Sequence, residues 1–219
     1  MKFGILTEKK TPPDRRVVFT PEELVRLKAT YPQAELFVES SPIRVFTDEQ
    51  YEALGIEVCT DLTHCDVLFG VKEVPVAALI PNKKYFFFSH TIKKQPYNKK
   101  LLQAILAQNI DLYDHETIVD ENNKRLIGFG RYAGIVGAYN GIRAFGIKYD
   151  LFTLAKAETL KNQEELIARL KRQILPNIKI VLTGHGKVGM GAKEMLDGMK
   201  IKQVAASDFL TKNYSEAVY

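Results

Sequence analysis

Ile178-Lys179-Ile180-Val181-Leu182-Thr183 runs without a break into Gly184-His185-Gly186-Lys187-Val188-Gly189. Met190 to Leu196 follows, and then Ile201 to Ala206, ending at Ser207-Asp208. The first run is short, apolar and β-branched, as in a strand buried on both faces of a parallel sheet. Met190 to Leu196 reads as a helix, and Ile201 to Ala206 reads as a second strand. The order is therefore strand, Gly-x-Gly-x-x-Gly turn, helix, strand, acid. Each glycine has a physical task in that order. Gly184 permits the tight turn, Gly186 lets backbone approach a pyrophosphate, and Gly189 lets helix pack on strand. The helix start offers unpaired N–H groups to the anion. Asp208 falls at the distance of about 20 residues where an acid meets the ribose 2′-hydroxyl.

These features predict a dinucleotide site of Rossmann type. Its candidate contacts are Gly184, Gly186, Lys187, Val188, Gly189 and Asp208, with NAD the expected cofactor and NADP the alternative, since Lys212 could accept a 2′-phosphate. A doubly wound sheet needs about six strands, and the chain reaches Tyr219 after one βαβ unit. The expectation is a piece of a longer protein. The unfinished sheet edge also keeps a homo-oligomer among the expectations.

Working back from this unit, strand and helix patterns alternate. Phe3 to Thr7 reads as a strand. Glu8 to Arg16 is polar, contains Pro12 and Pro13, and reads as a loop. Thr20-Pro21-Glu22-Glu23 starts a helix, with Thr as cap, Pro at the first helical position and Glu23 completing a capping box. Glu35 to Glu39 alternates as a strand. Thr47 to Gln50 opens a helix that runs through Leu54 and stops at Gly55. Asp66 to Val71, Lys84 to Phe88 and Ile110 to Tyr113 are further strand candidates. Each ends in polar residues: Lys72-Glu73, Ser89-His90-Thr91 and Asp114-His115-Glu116. In open parallel sheets, ligands bind outside the carboxyl ends of strands. The predicted architecture is α/β with two Rossmann-like domains, the first a flavodoxin-like parallel sheet. The expected boundaries are 1–133 for that substrate domain, 134–176 for connecting helices, and 177–219 for the start of the nucleotide domain. Gly134, Gly137, Ala138 and Gly141 would let the connecting helix pack tightly as a bridge.

Composition sets the outer bounds. The 219 residues are 46% hydrophobic and 26% charged, with a net charge of +5, as expected for a globular domain or two. No apolar run approaches the ~20 residues needed to cross a bilayer, and Met1 to Thr7 lacks the pattern of a signal peptide. The basic residues are spread along the chain without a nucleic-acid motif, so small anionic substrates are the expected partners, and neither nucleic acid nor membrane is. Cys59 and Cys65 match no metal or redox spacing. They read as reduced thiols of a cytoplasmic protein, with no metal site.

The polar strand ends admit two readings each. Lys72 is either half of a surface ion pair with Glu73 or a lysine whose partial burial lets it exchange protons near neutrality. His90 is either a satisfied core histidine or an acid/base group. Arg16, in its loop, has the fork geometry to hold a carboxylate, and Glu116 and Arg131 stand on similar ground.

Three stretches carry a resemblance that bears on these alternatives. Gly70-Val71-Lys72-Glu73-Val74-Pro75, Phe87 to Gln95 and Gly128-Phe129-Gly130-Arg131-Tyr132-Ala133-Gly134 resemble the signatures of saccharopine dehydrogenases and of the related lysine-ketoglutarate reductase domain. Arg16 to Pro21 is similar to the opening motif of the superfamily that also holds alanine dehydrogenase and the transhydrogenase N-terminal region. The resemblance covers nearly the whole chain. It implies reversible conversion of saccharopine, NAD(P)⁺ and water into lysine, 2-oxoglutarate and NAD(P)H. It favours Lys72 and His90 as the acid/base pair, Arg16 and Lys93 as carboxylate holders, and Glu116 as a tuning residue. The alternatives are an alanine-dehydrogenase-like deaminase and a nucleotide-binding module without catalysis.

Overall fold

The computed structural model describes residues 1–219, which form two compact units, Met1–Gly128 and Phe129–Tyr219. In the first, six strands make one parallel sheet: β1 (Lys2–Ile5), β2 (Glu35–Glu39), β3 (Glu57–Cys59), β4 (Val67–Phe69), β5 (Lys84–Phe87) and β6 (Asp111–Asp114). Their order is β3-β2-β1-β4-β5-β6. Without the short edge strand β3 it is the flavodoxin order, and with it the doubly wound dinucleotide order. Winding reverses between β1 and β4, whose register pairs Ile5 with Phe69. A ligand crevice is expected beyond the carboxyl ends at that point.

Helix α1 (Pro21–Thr30) begins with both halves of the expected capping box. Glu23 N–H donates to Thr20 Oγ1 at 3.2 Å, and Thr20 N–H donates to the Glu23 carboxylate at 2.8 Å. Helix α2 (Asp48–Glu52) repeats the device with Thr47 and Gln50. Both connect strands on one side of the reversal, and their Leu24 and Tyr51 pack with Ile5, Val38 and Ile56. Helix α3 (Lys99–Ala107) connects β5 to β6 and packs Leu101 and Ile105 against Leu68, Tyr85 and Phe87. Each such buried side chain contributes about 1.5–3 kcal/mol. Tyr51 anchors its layer through its hydroxyl, which donates to Phe19 O at 2.8 Å, and burial pushes the pKa of that hydroxyl up to about 12.

The second unit is built on helices: α4 (Gly130–Lys148), α5 (Gln163–Leu170), α6 (Lys187–Gly198) and α7 (Ala206–Thr211). Ile135, Tyr139 and Ile142 of α4 share a core with Leu166 and Leu170 of α5 and Met195 of α6. Helices α4 and α6 touch backbone to backbone. A Cβ on Gly134 would fall 1.9 Å from Val188 O, and one on Gly191 would fall 2.0 Å from Arg131 O. Of the small residues expected to pack tightly along α4, Gly134 does so. Gly137 and Gly141 face open space, because the contacting stripe follows the helix crossing and leaves them off it.

Ile178–Thr183 and Ile201–Ala206, expected as neighbouring strands, differ from that expectation. Each meets the chain in an isolated parallel bridge, Lys179 with Val218 and Lys202 with Val218. Val218 lies between them: Ile180 N–H donates to Val218 O at 2.8 Å, and Tyr219 N–H donates to Lys202 O at 3.0 Å. A strand is defined by its ladder partners, and here the pairing is too short to register as one. Val181 is 70% exposed. No helix is long and apolar enough to cross a membrane.

Candidate active site

The carboxyl ends of β1, β4 and β5 carry one connected set of charges. Glu8 leaves β1 and turns its buried carboxylate to the neighbouring strand end. There it accepts Val71 N–H at 2.6 Å and Lys72 N–H at 2.8 Å. Burial raises the Glu8 pKa, and these two bonds offset part of the rise. Thr7 N–H and Lys9 Nζ donate to Glu39 at the end of β2, at 2.9 and 2.6 Å. Lys10 Nζ donates to one oxygen of Glu73, and His90 Nδ1 lies 2.7 Å from the other. Burial alone would raise the Glu73 carboxyl; the bonds from Lys10 and His90 outweigh it and hold the group below the usual carboxylate range.

His90 owes its place to the local backbone. It is left-handed (φ 55°) and precedes a 3-10 turn over Thr91–Lys93. Ser89 on its N-terminal side is buried, donates to Asp114 at the end of β6, and accepts Thr91 N–H at 3.1 Å. With Nδ1–H donated to the Glu73 carboxylate, the ring keeps its Nε2 lone pair for a proton. His115, buried beside Phe88, spans β6 and β4 by donating from Nε2 to Gly70 O at 3.1 Å. Its burial lowers its pKa.

Lys72 stands apart. Its side chain is half-buried, and no carboxylate lies within 4 Å of Nζ, whereas Glu73 is taken by Lys10 and His90. Of the two readings of Lys72, the ion pair with Glu73 does not form; Glu73 is held instead by Lys10 and His90. The Lys72 charge is felt by Asp14, which Arg16 holds low chiefly by hydrogen bonding. Arg16 grips Asp14 through Nε at 2.9 Å and through Nη2. Lys93 and Arg125 both pair with Glu116 Oε1, at 3.1 and 3.4 Å. Glu116 Oε2 is buried without a hydrogen-bond partner.

In the second unit the Gly-rich turn has the geometry its glycines promise. Gly184 has φ +87°, and a Cβ on Gly189 would lie 2.3 Å from Gly184 O. Gly186 caps α6, and a Cβ there would meet nothing within 4 Å. That open space beside a helix start fits an anion. Lys187 and Val188 form the first turn of α6. A cavity of about 450 Å³ adjoins the turn, lined by Gly184, His185, Gly189, Val204, Ala206 and Phe209 among others.

Residues 4–136 match the family described as alanine dehydrogenase/PNT, N-terminal domain. The chain belongs to that family. The alpha-aminoadipic semialdehyde synthase of Arabidopsis thaliana is 33% identical over 215 residues, covering 88% of this chain and 20% of its own length. The lysine-forming, NAD(+) saccharopine dehydrogenase of Yarrowia lipolytica is 28% identical over 178 residues, covering 74% and 48%. The chain thus spans a fifth to about half the length of these relatives. Among solved structures, an L-alanine dehydrogenase superposes over 100% of this chain and 60% of its own, with a TM-score of 0.62 and 18% identity. A transhydrogenase from Sinorhizobium meliloti gives the same TM-score at 17% identity, over 97% and 68%. These two likenesses establish the fold.

Within the family domain, the structure brings Lys72, Glu73 and His90 to adjacent strand ends and gives Glu116 and Arg131 other partners. Glu116 joins Lys93 and Arg125, with no bond to Lys72 or His90. Arg131 belongs to the second unit. Its guanidinium is held in a two-pronged pair with Glu194, at 2.8 and 2.6 Å, and also reaches Gln163. Helix periodicity explains this: Arg131 starts α4 on the side that faces α6. Asp208 likewise sits in the first turn of α7, paired with Lys212 at 2.9 Å, and not at a strand end. The sequence reading passed over Glu8, Lys10 and Asp14. Glu8 carried a usable signal, being the first charged residue beyond β1, at the strand end that borders the reversal.

Proposed function

We propose that the chain supplies the substrate domain and the dinucleotide turn of an NAD(P)-dependent oxidoreductase acting on the CH–NH group of an amino acid, of the saccharopine dehydrogenase type. One observation carries the reading. At the winding reversal, a histidine backed by a carboxylate (His90–Glu73) shares the strand ends with an unpaired lysine, Lys72. The names of the relatives support the substrate class.

The Gly184–Gly189 turn and the start of α6 are the residues that would hold the dinucleotide, NAD by preference. Bound there, it supplies a hydride acceptor. The chain's own part is proton handling and charge placement. Removing hydride from the carbon next to a secondary amine requires that the amine lose its proton, and hydrolysis of the resulting imine requires a second group to move protons on water. Lys72 and His90 are assigned these two tasks. Proton uptake at His90 Nε2 makes an imidazolium that Glu73 stabilises through Nδ1–H, and Lys10 keeps Glu73 ionised for that purpose. Arg16 and Lys93 would receive substrate carboxylates, each exchanging its present partner, Asp14 or Glu116. A substrate with several carboxylates suits such a site.

Steady-state assays of the complete protein with saccharopine and with alanine, each with NAD⁺, test this reading. The expected result is turnover of saccharopine. Turnover of alanine in its place would assign the chain to oxidative deamination, and nucleotide binding without turnover of either would leave a binding module.

A further inference from the structure

We infer that Glu8 is a positioning residue for Lys72: its buried carboxylate grips the Val71 and Lys72 amides and so fixes the direction in which the lysine side chain leaves the strand end. The inference rests on the catalytic reading of Lys72 given above.

Nothing on the Lys72 side chain itself sets its course, since Nζ has no carboxylate within 4 Å. The backbone must do so, and Lys72 lies beyond β4, outside the ladder. Gly70 N–H still donates to Phe86 O at 2.8 Å, but the next two amides turn to Glu8, at 2.6 and 2.8 Å. Each carboxylate oxygen takes one of them, so one side chain ties down two successive peptide groups, Gly70–Val71 and Val71–Lys72. The other side of the segment is held by His115, through Gly70 O. Glu8 is 8% exposed, so water cannot readily replace it.

The grip needs a carboxylate on a side chain of this length. An amide oxygen can accept one of the two N–H groups, and its NH₂ would then face the other donor. Glutamine keeps the volume of Glu8 while removing the fork. Asp14 and Arg16 supply the charges felt by Glu8, and Lys72 is felt by Asp14.

The test is Glu8→Gln beside Lys72→Met in the complete enzyme. For Glu8→Gln, kcat should fall by about tenfold to a hundredfold, the scale of a misplaced catalytic group. The pH profile of kcat should move, while dinucleotide Kd and Tm stay close to wild type. A merely structural role would lower Tm without moving that profile. If Lys72→Met is inactive but Glu8→Gln keeps wild-type kcat and profile, the positioning role is wrong and the reading of Lys72 stands. If Lys72→Met turns over normally, that reading fails and this inference falls with it. Should Glu8→Gln not fold, an NMR titration of the wild type decides. The Val71 and Lys72 amide protons should shift together with the Glu8 carboxyl carbon as that group titrates, and amides that ignore it would overturn the assignment.

Discussion

The two ends of the chain solve opposite problems with similar sequence material. Phe3 to Val71 and Ile178 to Ala206 both contain short apolar runs that read as buried strands. In the first unit, every such run finds neighbours. The reversal between β1 and β4 then leaves a row of polar residues at the carboxyl ends, tied together by Glu8, Glu39, Glu73 and Asp114. In the second unit, the apolar runs meet through Val218 and Tyr219, yet the Gly-rich turn between them is formed. A turn is specified by φ angles and contacts within a few residues, whereas a strand exists only through its partners. A local turn can therefore form where the surrounding sheet does not.

Hydrogen exchange on this 219-residue chain should display the contrast most strongly, because protection spans the range from local fraying to global unfolding. Amides around Phe69 and Phe87 should exchange only on global opening, while those around Val181 should exchange orders of magnitude faster. Equal protection of both regions in a monomer would show that pairing through Val218 and Tyr219 suffices to make a stable sheet.

The chemistry of the first unit is tested in the complete enzyme. Lys72→Met and His90→Gln should each lower kcat by roughly 10²-fold or more, the scale of acid/base catalysis, while dinucleotide binding persists. Near-normal turnover across pH by either variant would remove that residue from the acid/base pair. The supporting charges add a direction. The Glu73 pKa is depressed, so its contribution is present above the ordinary glutamate range and is lost as pH falls through the lower folded value. The His90–Glu73 arrangement should therefore survive mild acid.

How much of this was legible depended on how far apart the deciding partners lie. Thr20 and Glu23 are three residues apart, and their capping box could be read directly and formed as read. The polar ends of β4, β5 and β6 were legible because each follows an apolar run at once. Glu8 was read as loop, since its partners Val71 and Lys72 lie 63 and 64 residues away. The partner of Arg131, Glu194, is 63 residues downstream, and no local pattern announces it. Lys72 and Glu73 are adjacent in sequence, which kept a pair among the readings, but Glu73 meets Lys10 and His90, 63 and 17 residues away.

Within the turn itself, two glycines should respond differently. Gly189→Ala places a methyl group 2.3 Å from Gly184 O, a backbone clash that must shift the helix or the turn and cost about 1–3 kcal/mol. Gly186→Ala meets open space, so Tm should hold while dinucleotide affinity falls, because the methyl enters the room left for phosphate. If Gly186→Ala binds dinucleotide as tightly as wild type, the phosphates lie elsewhere.

The smallest effect is expected at Asp208. A carboxylate that accepts hydrogen bonds from the ribose 2′-hydroxyl favours NAD and repels a 2′-phosphate. Here Asp208 is exposed in the first turn of α7 and already paired with Lys212 at 2.9 Å. An exposed i,i+4 pair contributes about 0.3–0.5 kcal/mol, so little stands in the way of exchanging Lys212 for a ribose. The same lysine, once released, would attract a 2′-phosphate. The two residues thus pull cofactor choice in opposite directions, and the preference for NAD over NADP should be only severalfold. Titrating both cofactors against wild type, Asp208→Ala and Lys212→Ala separates the contributions. Asp208→Ala should weaken NAD and narrow the gap, and Lys212→Ala should widen it. Tighter binding of NADP than of NAD by the wild type would mean that Lys212, and not Asp208, sets the choice.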